Sequence, residues 1–299
     1  MPHLRILALL LVVFVVGCSC KTTRPGPEPS PTPEAPSVDA ATAEQLDEAR
    51  ERKGWGVIEL NGVPTTVRWS DGDSFKFKSG EYKGDGVRLQ RYNTLESYGP
   101  VHRWGTWTGD ELYAIAKSSR FVASEADWIC TTDGSRDGYG RVLVDCPDVA
   151  EHMVRKGHAH VFAIDTAADP ALLKVQKEAQ ENRVGMWEKG VPTMIITSLH
   201  SYAEDYAKEK GVAYNRTVSA ATGDSLLVEH HEVYATCQEI CDGPKDDPVC
   251  MTYVPFEIRY RNKPDCLWPK KKQKYGVAGK AVPAQDATPE KEEPTPAAE

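Results

Sequence analysis

The sequence has no surplus of positive charge. Its 299 residues carry 36 Lys plus Arg against 44 Asp plus Glu, a net charge of −8, so the chain is not a general-purpose coat for DNA. It has no apolar run of comfortable bilayer-spanning length, since residues 6–16 fall short of the roughly 20 residues a membrane helix needs. With a mean hydropathy of −0.49 this excludes a polytopic membrane protein, while 40% hydrophobic residues exclude a wholly disordered chain. No repeat with a period of 20 to 50 residues is present, and no paired C-x-x-C knuckles.

What is present begins at the N-terminus. His3 and Arg5 precede the apolar run, which ends in Val15-Val16-Gly17-Cys18. This pattern reads as an export signal and resembles the bacterial lipoprotein cleavage box, in which the cysteine is lipidated and becomes the new N-terminus; ordinary secretion is the alternative. The expected organisation is a lipoprotein signal over 1–18 with Cys18 as the lipidated residue and a proline-rich linker over 19–40. A short helix over 41–54 precedes a folded domain over 55–190. A cysteine-containing region over 191–269 and a charged, proline-rich disordered tail over 270–299 complete the chain. The location this implies is the cell envelope, with the chain lipid-anchored at the outer membrane, the periplasmic face or the cell surface.

In the folded part, Asn61-Gly62 between alternating apolar and polar runs is a hairpin signal. Alternation places Arg88, Gln90 and Tyr92 on one face of a further strand. Three helices follow. Thr108 with Glu111 and Asp148 with Glu151 form capping-box patterns, and a third helix opens at Asp169-Pro170 and runs to Met186 and Trp187. Strands first and helices packed afterwards predict an α+β barrel.

Three clusters carry chemistry: Asp71-Gly72-Asp73 at a turn; Arg88-Leu89 followed by Asn93, Thr94 and Glu96; and Asp137-Gly138-Tyr139-Gly140-Arg141 at a hairpin tip. In this order and spacing, and with the closing helix E-A-Q-E-N-R-V-G-M-W, they resemble the staphylococcal (thermo)nuclease family. The resemblance implies a five-stranded OB-fold β-barrel with three helices, here followed by a small cysteine-rich C-terminal region. It implies a calcium-dependent nuclease that hydrolyses DNA or RNA with little sequence preference. Arg88, Glu96 and Arg141 are the catalytic residues it points to, Asp73, Asn93 and Thr94 the ligands of Ca2+, and Tyr139 a substrate-binding residue. A phosphodiester builds charge on its phosphoryl oxygens under attack by water, and guanidinium forks suit that charge. Hard oxygen ligands suit calcium, and a carboxylate suits the water's proton.

Asn93 stands where the family carries an aspartate, so metal affinity and activity are expected to fall. The segment 55–190 is acidic on balance, whereas a processive nuclease favours a basic groove. Leu95, Gly138, Ala163 and Asp165 also depart from the family pattern. The alternative reading is a catalytically weak or inactive module that binds nucleic acid or protein at the envelope.

Eight cysteines divide into Cys18 for lipid, Cys20 left over and six for bridges. Cys130 and Cys146 lie symmetrically about Gly138, the centre of the hairpin bearing Arg141, so they are expected to oppose each other and bond. Cys237, Cys241, Cys250 and Cys266 are read as two disulfides rather than a zinc site. His158 with His160 and the His230-His231-Glu232 run are read first as structural or solvated residues, and Trp104 and Trp107 as cover for the core. A helix over 202–210 is expected to end at Gly211.

Overall fold

The computed structural model describes residues 40–164 and 166–259, together with Cys266. The export signal with Cys18, most of the linker, Asp165 and the tail from residue 270 lie outside the described residues. Helix α1 (Ala43–Glu51) forms because Thr42 and Gln45 satisfy each other's backbone N–H groups in a capping box. Strands β1 (Trp55–Leu60) and β2 (Val63–Trp69) follow as an antiparallel hairpin. Its turn residues Asn61 and Gly62 both adopt positive φ, 49° and 84°, the geometry that matches strand twist in a two-residue turn. β3 (Phe75–Phe77) pairs with β2, and β7 (Trp128–Cys130) runs parallel to β1, giving the sheet order β3-β2-β1-β7.

A second, parallel pair joins β4 (Val87–Leu89) to β8 (Val142–Val144), and β5 (Tyr92–Thr94) pairs with β9 (Ala159–Val161). Between the four-stranded sheet and the β4–β8 pair there are isolated bridges, Lys76 with Gly86 and Thr131 with Asp145, rather than a continuous ladder. The architecture is α+β with several short sheets. The continuous five-stranded barrel expected from the sequence is not formed among the described residues. One local cause is Arg91, whose φ of 74° ends β4 and starts β5 afresh. The same break cancels the expected alternation: Arg88 faces the cleft, Gln90 is exposed and Tyr92 is buried.

After β6 (His102–Arg103), helix α2 (Gly109–Val122) starts with the Thr108–Glu111 capping box. Helix α3 (Pro147–Arg155) starts two residues earlier than the Asp148–Glu151 pattern implied. Cys146 is its N-cap without a side-chain bond, Pro147 fills the first turn, and Asp148 serves only as a first-turn charge. Helix α4 (Pro170–Glu181) is capped by Asp169 as expected but stops before Met186. Arg183 turns left-handed, φ 53°, and Met186 and Trp187 belong to a separate 3-10 turn, Gly185–Trp187. Gly157 permits this: a Cβ there would lie 2.1 Å from the Val184 carbonyl oxygen.

Beyond residue 190 come β10 (Met194–Leu199), α5 (Asp205–Lys210), β11 (Ala213–Ser219) and β12 (Ser225–His230). β13 (Glu239–Asp242), β14 (Val249–Thr252) and the short α6 (Phe256–Arg259) follow. His230 therefore ends a strand rather than lying in a helix or loop. Gly211 closes α5 in the left-handed conformation. β14 also pairs with β6, so this region is woven into the domain before it. One hydrophobic cluster lies under β1, β2, β7 and β8. A second is built jointly from Leu95, Trp104, Trp107 and Leu112 on one side and Ile195, Leu199, Met251 and Tyr253 on the other. Both tryptophans thus cover core, and the Trp107 indole N–H donates to the Met186 carbonyl at 2.8 Å.

The six cysteines among the described residues form three disulfides, Cys130–Cys146, Cys237–Cys266 and Cys241–Cys250. The first ties β7 to the start of α3 across the hairpin that carries Arg141. Its 16-residue separation puts its loop-closure contribution at about 3 kcal/mol. The Cys130→Ser, Cys146→Ser variant should lose about that much in urea unfolding, and an undiminished midpoint would contradict this role.

Candidate active site

The three clusters converge. Asp73, Arg88, Asn93, Thr94, Glu96, Tyr139 and Arg141, which the sequence separates by up to 68 positions, line a single cleft of about 1160 Å³. The order in which the chain builds it begins at the Asp71-Gly72-Asp73 turn between β2 and β3. A Cβ on Gly72 would lie 2.6 to 2.8 Å from Met153, Thr94 and Ser119, so only glycine lets the turn sink this deep. The Tyr92 hydroxyl donates to the Gly72 carbonyl at 2.7 Å and pins it there.

Asp73 is 4% exposed. Its Oδ2 accepts from the Thr94 amide N–H at 2.8 Å, the Thr94 hydroxyl at 3.1 Å and Arg88 Nη1 at 2.8 Å. Burial opposes its ionisation, yet the Arg88 charge and the Thr94 donors outweigh burial and hold its carboxyl below the ordinary range. Asp71 shows the opposite: burial first, and the Asp73 charge second, push its carboxyl well up. Arg88 Nη2 also donates to Asn93 Oδ1 at 2.6 Å, so one guanidinium spans two of the expected cation ligands.

The donors at this end of the cleft, Asp71, Asp73, Asn93, Thr94 and Glu96, offer oxygen only, the set a hard divalent cation takes. Among the described residues, the one trio of His, Cys, Asp or Glu close enough to hold an ion is Glu239, Cys241 and Cys250, whose cysteines are disulfide-bonded. His158, read first as structural, has Nδ1 3.2 Å from the Ser119 hydroxyl, and His160 is 1% exposed.

Glu96 is half-buried at the cleft. Burial raises its pKa, against the pull of Arg259, Arg88 and Arg141. Its backbone N–H donates to Nε2 of the buried His102 at 3.2 Å. At the hairpin tip, Arg141 is held by Asp137, through Nε at 2.7 Å and Nη2 at 2.6 Å. Asp137 Oδ1 also accepts the Tyr139 and Arg141 amide N–H groups, which shapes the tip. Tyr139 stands 76% exposed beside Arg141, whose guanidinium carbon lies 5.6 Å from the ring.

Several cleft residues had no signal in sequence. Tyr214, Arg216 and Arg259 come from the region beyond 190, where no motif pointed to the site. Asp137 was visible only as part of a turn. Asp71 carried a signal, the paired carboxylates of its turn, but no assigned role.

Residues 86–189 match the family of staphylococcal nuclease homologues. A protein named as an uncharacterized endonuclease, from Escherichia coli, is 29% identical over 143 residues, which covers 46% of this chain and 85% of the relative. A protein of the same name from Escherichia coli O157:H7 matches with the same identity and coverage. The family match includes Arg88, Asn93, Thr94, Glu96, Tyr139 and Arg141 and starts after Asp73.

His102 supports a pH test. Burial, and then His160, depress its pKa from 6.5 to about 3, and its neutral Nε2 is the acceptor for Glu96. The unfolded chain takes up a proton near 6.5 that the native state refuses. Stability is therefore complete above that pH and falls as pH drops toward 3, by up to about 1.4 kcal/mol per unit. Urea unfolding of the wild type between pH 7 and 5 should slope more steeply than that of His102→Gln by this amount; equal slopes would refute it.

Proposed function

We propose that the protein is an exported, lipid-anchored nuclease of the cell envelope that hydrolyses phosphodiester bonds of DNA or RNA and depends on calcium. The observation that carries this reading is the meeting of Asp73, Arg88, Glu96 and Arg141 in one cleft. The family match adds the expectation of an OB-type scaffold and a nucleic-acid substrate.

The chemistry follows from the side chains. Glu96, with its carboxyl raised by burial, accepts the proton of the attacking water as its oxygen bonds to phosphorus. The bond from phosphorus to the leaving oxygen breaks, and that oxygen takes a proton from solvent water, while Glu96 returns its own to solvent. Arg88 and Arg141 donate to the phosphoryl oxygens as charge builds there. To do so each must exchange its resting carboxylate, Asp73 or Asp137, for the phosphate. Asp73, Asn93 and Thr94 would hold a divalent cation, which supplies positive charge to the phosphoryl group when bound. Asn93 in place of a carboxylate weakens that hold. Grip on the backbone alone gives little sequence preference.

A second reading is favoured by one feature. Arg88 and Arg141 are both satisfied within the protein, a resting arrangement that also suits a module that binds nucleic acid or protein without cutting. Incubation of the detergent-solubilised full-length protein with single-stranded DNA separates the two. We expect degradation with calcium, none with chelator, and a loss of about 100-fold or more in the Arg88→Ala, Glu96→Gln variant. Asn93→Asp should cleave at lower calcium. Equal degradation by wild type and double variant would defeat the catalytic reading, and binding without cleavage would establish the second. For the anchor, labelled palmitate should be incorporated by the wild type and not by Cys18→Ser; labelling of both would remove it.

A further inference from the structure

The cleft has a second wall that the nuclease-like stretch does not supply. Ser198 on β10, His200 just after it, and Tyr214 and Arg216 on β11 line it. Arg216 pairs in register with Ser198, and Tyr214 lies two residues from Arg216, so alternation turns this group to one side of the sheet. Burial and the Tyr139 hydroxyl both raise the Tyr214 phenol, which places the two tyrosines within electrostatic reach of each other.

Arg216 differs from Arg88 and Arg141. It has no carboxylate partner among the described residues, and its Nε is buried without a hydrogen-bond partner. Arg259, on α6, is placed from the other side. Its Nε donates to the Val254 carbonyl at 2.8 Å, and the residue lines the cleft. Its stem packs on the loop that follows Glu96: a Cβ on Gly99 would come within 2.9 Å of Arg259 Cγ. Arg259 is also the strongest positive influence on the Glu96 carboxyl, ahead of Arg88 and Arg141. The Cys237–Cys266 disulfide fastens the chain on both sides of α6.

Two guanidinium groups without a carboxylate salt bridge therefore line a groove that also holds Tyr139 and Tyr214. A cationic groove with aromatic side chains is the combination that tracks an unpaired nucleic-acid strand. A buried donor without a partner is costly unless a ligand completes it. We propose that Arg216 and Arg259 form a second phosphate-binding half of the cleft, which holds the phosphodiesters flanking the scissile one in single-stranded nucleic acid. This rests on the phosphodiesterase reading and extends it, because both residues lie outside the stretch that matches the nuclease family. The C-terminal region is thus the part of the chain that sets substrate length.

The test compares the full-length wild type with Arg216→Ala, Arg259→Ala on two substrates. One is a labelled single-stranded decathymidylate. The other is thymidine 5′-(p-nitrophenyl phosphate), a diester with no flanking phosphate. The ratio of kcat/KM on the oligomer to that on the small diester should fall about tenfold in the variant, mainly through the oligomer KM. The slope of log Kd for the oligomer against log salt, measured by fluorescence anisotropy with chelator present, should become shallower by about 1.4, the loss of two single-strand phosphate contacts. Arg216→Lys, Arg259→Lys should recover most of that slope, which separates lost charge from lost fold. An unchanged ratio and slope would overturn the proposal. Wild-type protein that binds the oligomer but cleaves neither substrate would refute the phosphodiesterase reading, while the slope difference would still decide this one. Wild-type protein that does not bind the oligomer at all would end both.

Discussion

A buried carboxylate must find donors, and the Asp73 side chain finds three, from two other elements of the chain. The Thr94 donors come from β5 and the guanidinium from β4, while the Leu89 amide N–H donates to the Asp73 carbonyl at 3.0 Å. Those bonds fix the depth of the turn against both strands. The absence of a side chain at Gly72 removes the steric obstacle. Asn93 and Glu96 then inherit their positions from the strand that Thr94 anchors.

The resting electrostatics of the cleft follow from that anchor. Arg88 is drawn inward by Asp73 and Asn93, and Arg141 is drawn to Asp137, so the two guanidinium groups are stored against internal acceptors. Storage avoids the desolvation cost of an unpaired buried charge. It also means that a phosphate must compete with a carboxylate for each of them. The wall from the C-terminal region is arranged differently: Arg216 forms no salt bridge to a carboxylate among the described residues, and Arg259 acts on Glu96 through its charge rather than through a hydrogen-bonded pair.

That wall exists because the C-terminal region shares a core with the rest of the chain. Trp104, Trp107 and Leu112 cannot be covered by the nuclease-like part alone. Ile195, Leu199, Met251 and Tyr253 complete their burial. The β6–β14 pairing and the bonds of Gln176 and Gln180 side-chain amides to the Ala220 carbonyl hold the two parts in fixed register. With α6 fastened by the Cys237–Cys266 disulfide, the positions of Tyr214, Arg216 and Arg259 are set by packing rather than by a loop.

The amino-acid sequence by itself determined whatever depends on near neighbours. The Asn61-Gly62 turn, the caps at Thr42, Thr108 and Asp169, the end of α5 at Gly211 and the Cys130–Cys146 pairing all rest on contacts within a few residues or across one hairpin. The identity of the cleft residues up to Arg141 was also legible, because their order and spacing carry the chemistry. Tertiary structure decided the rest. Arg91 interrupted an alternation that looked continuous, and Cys146 and Pro147 moved the start of α3. The partners of Arg88 and Arg141, and the arrival of Arg216 and Arg259 from beyond residue 190, were set by burial among segments far apart in sequence. Local propensity holds no record of such contacts, since the free energy that selects them is gained only when the two cores close.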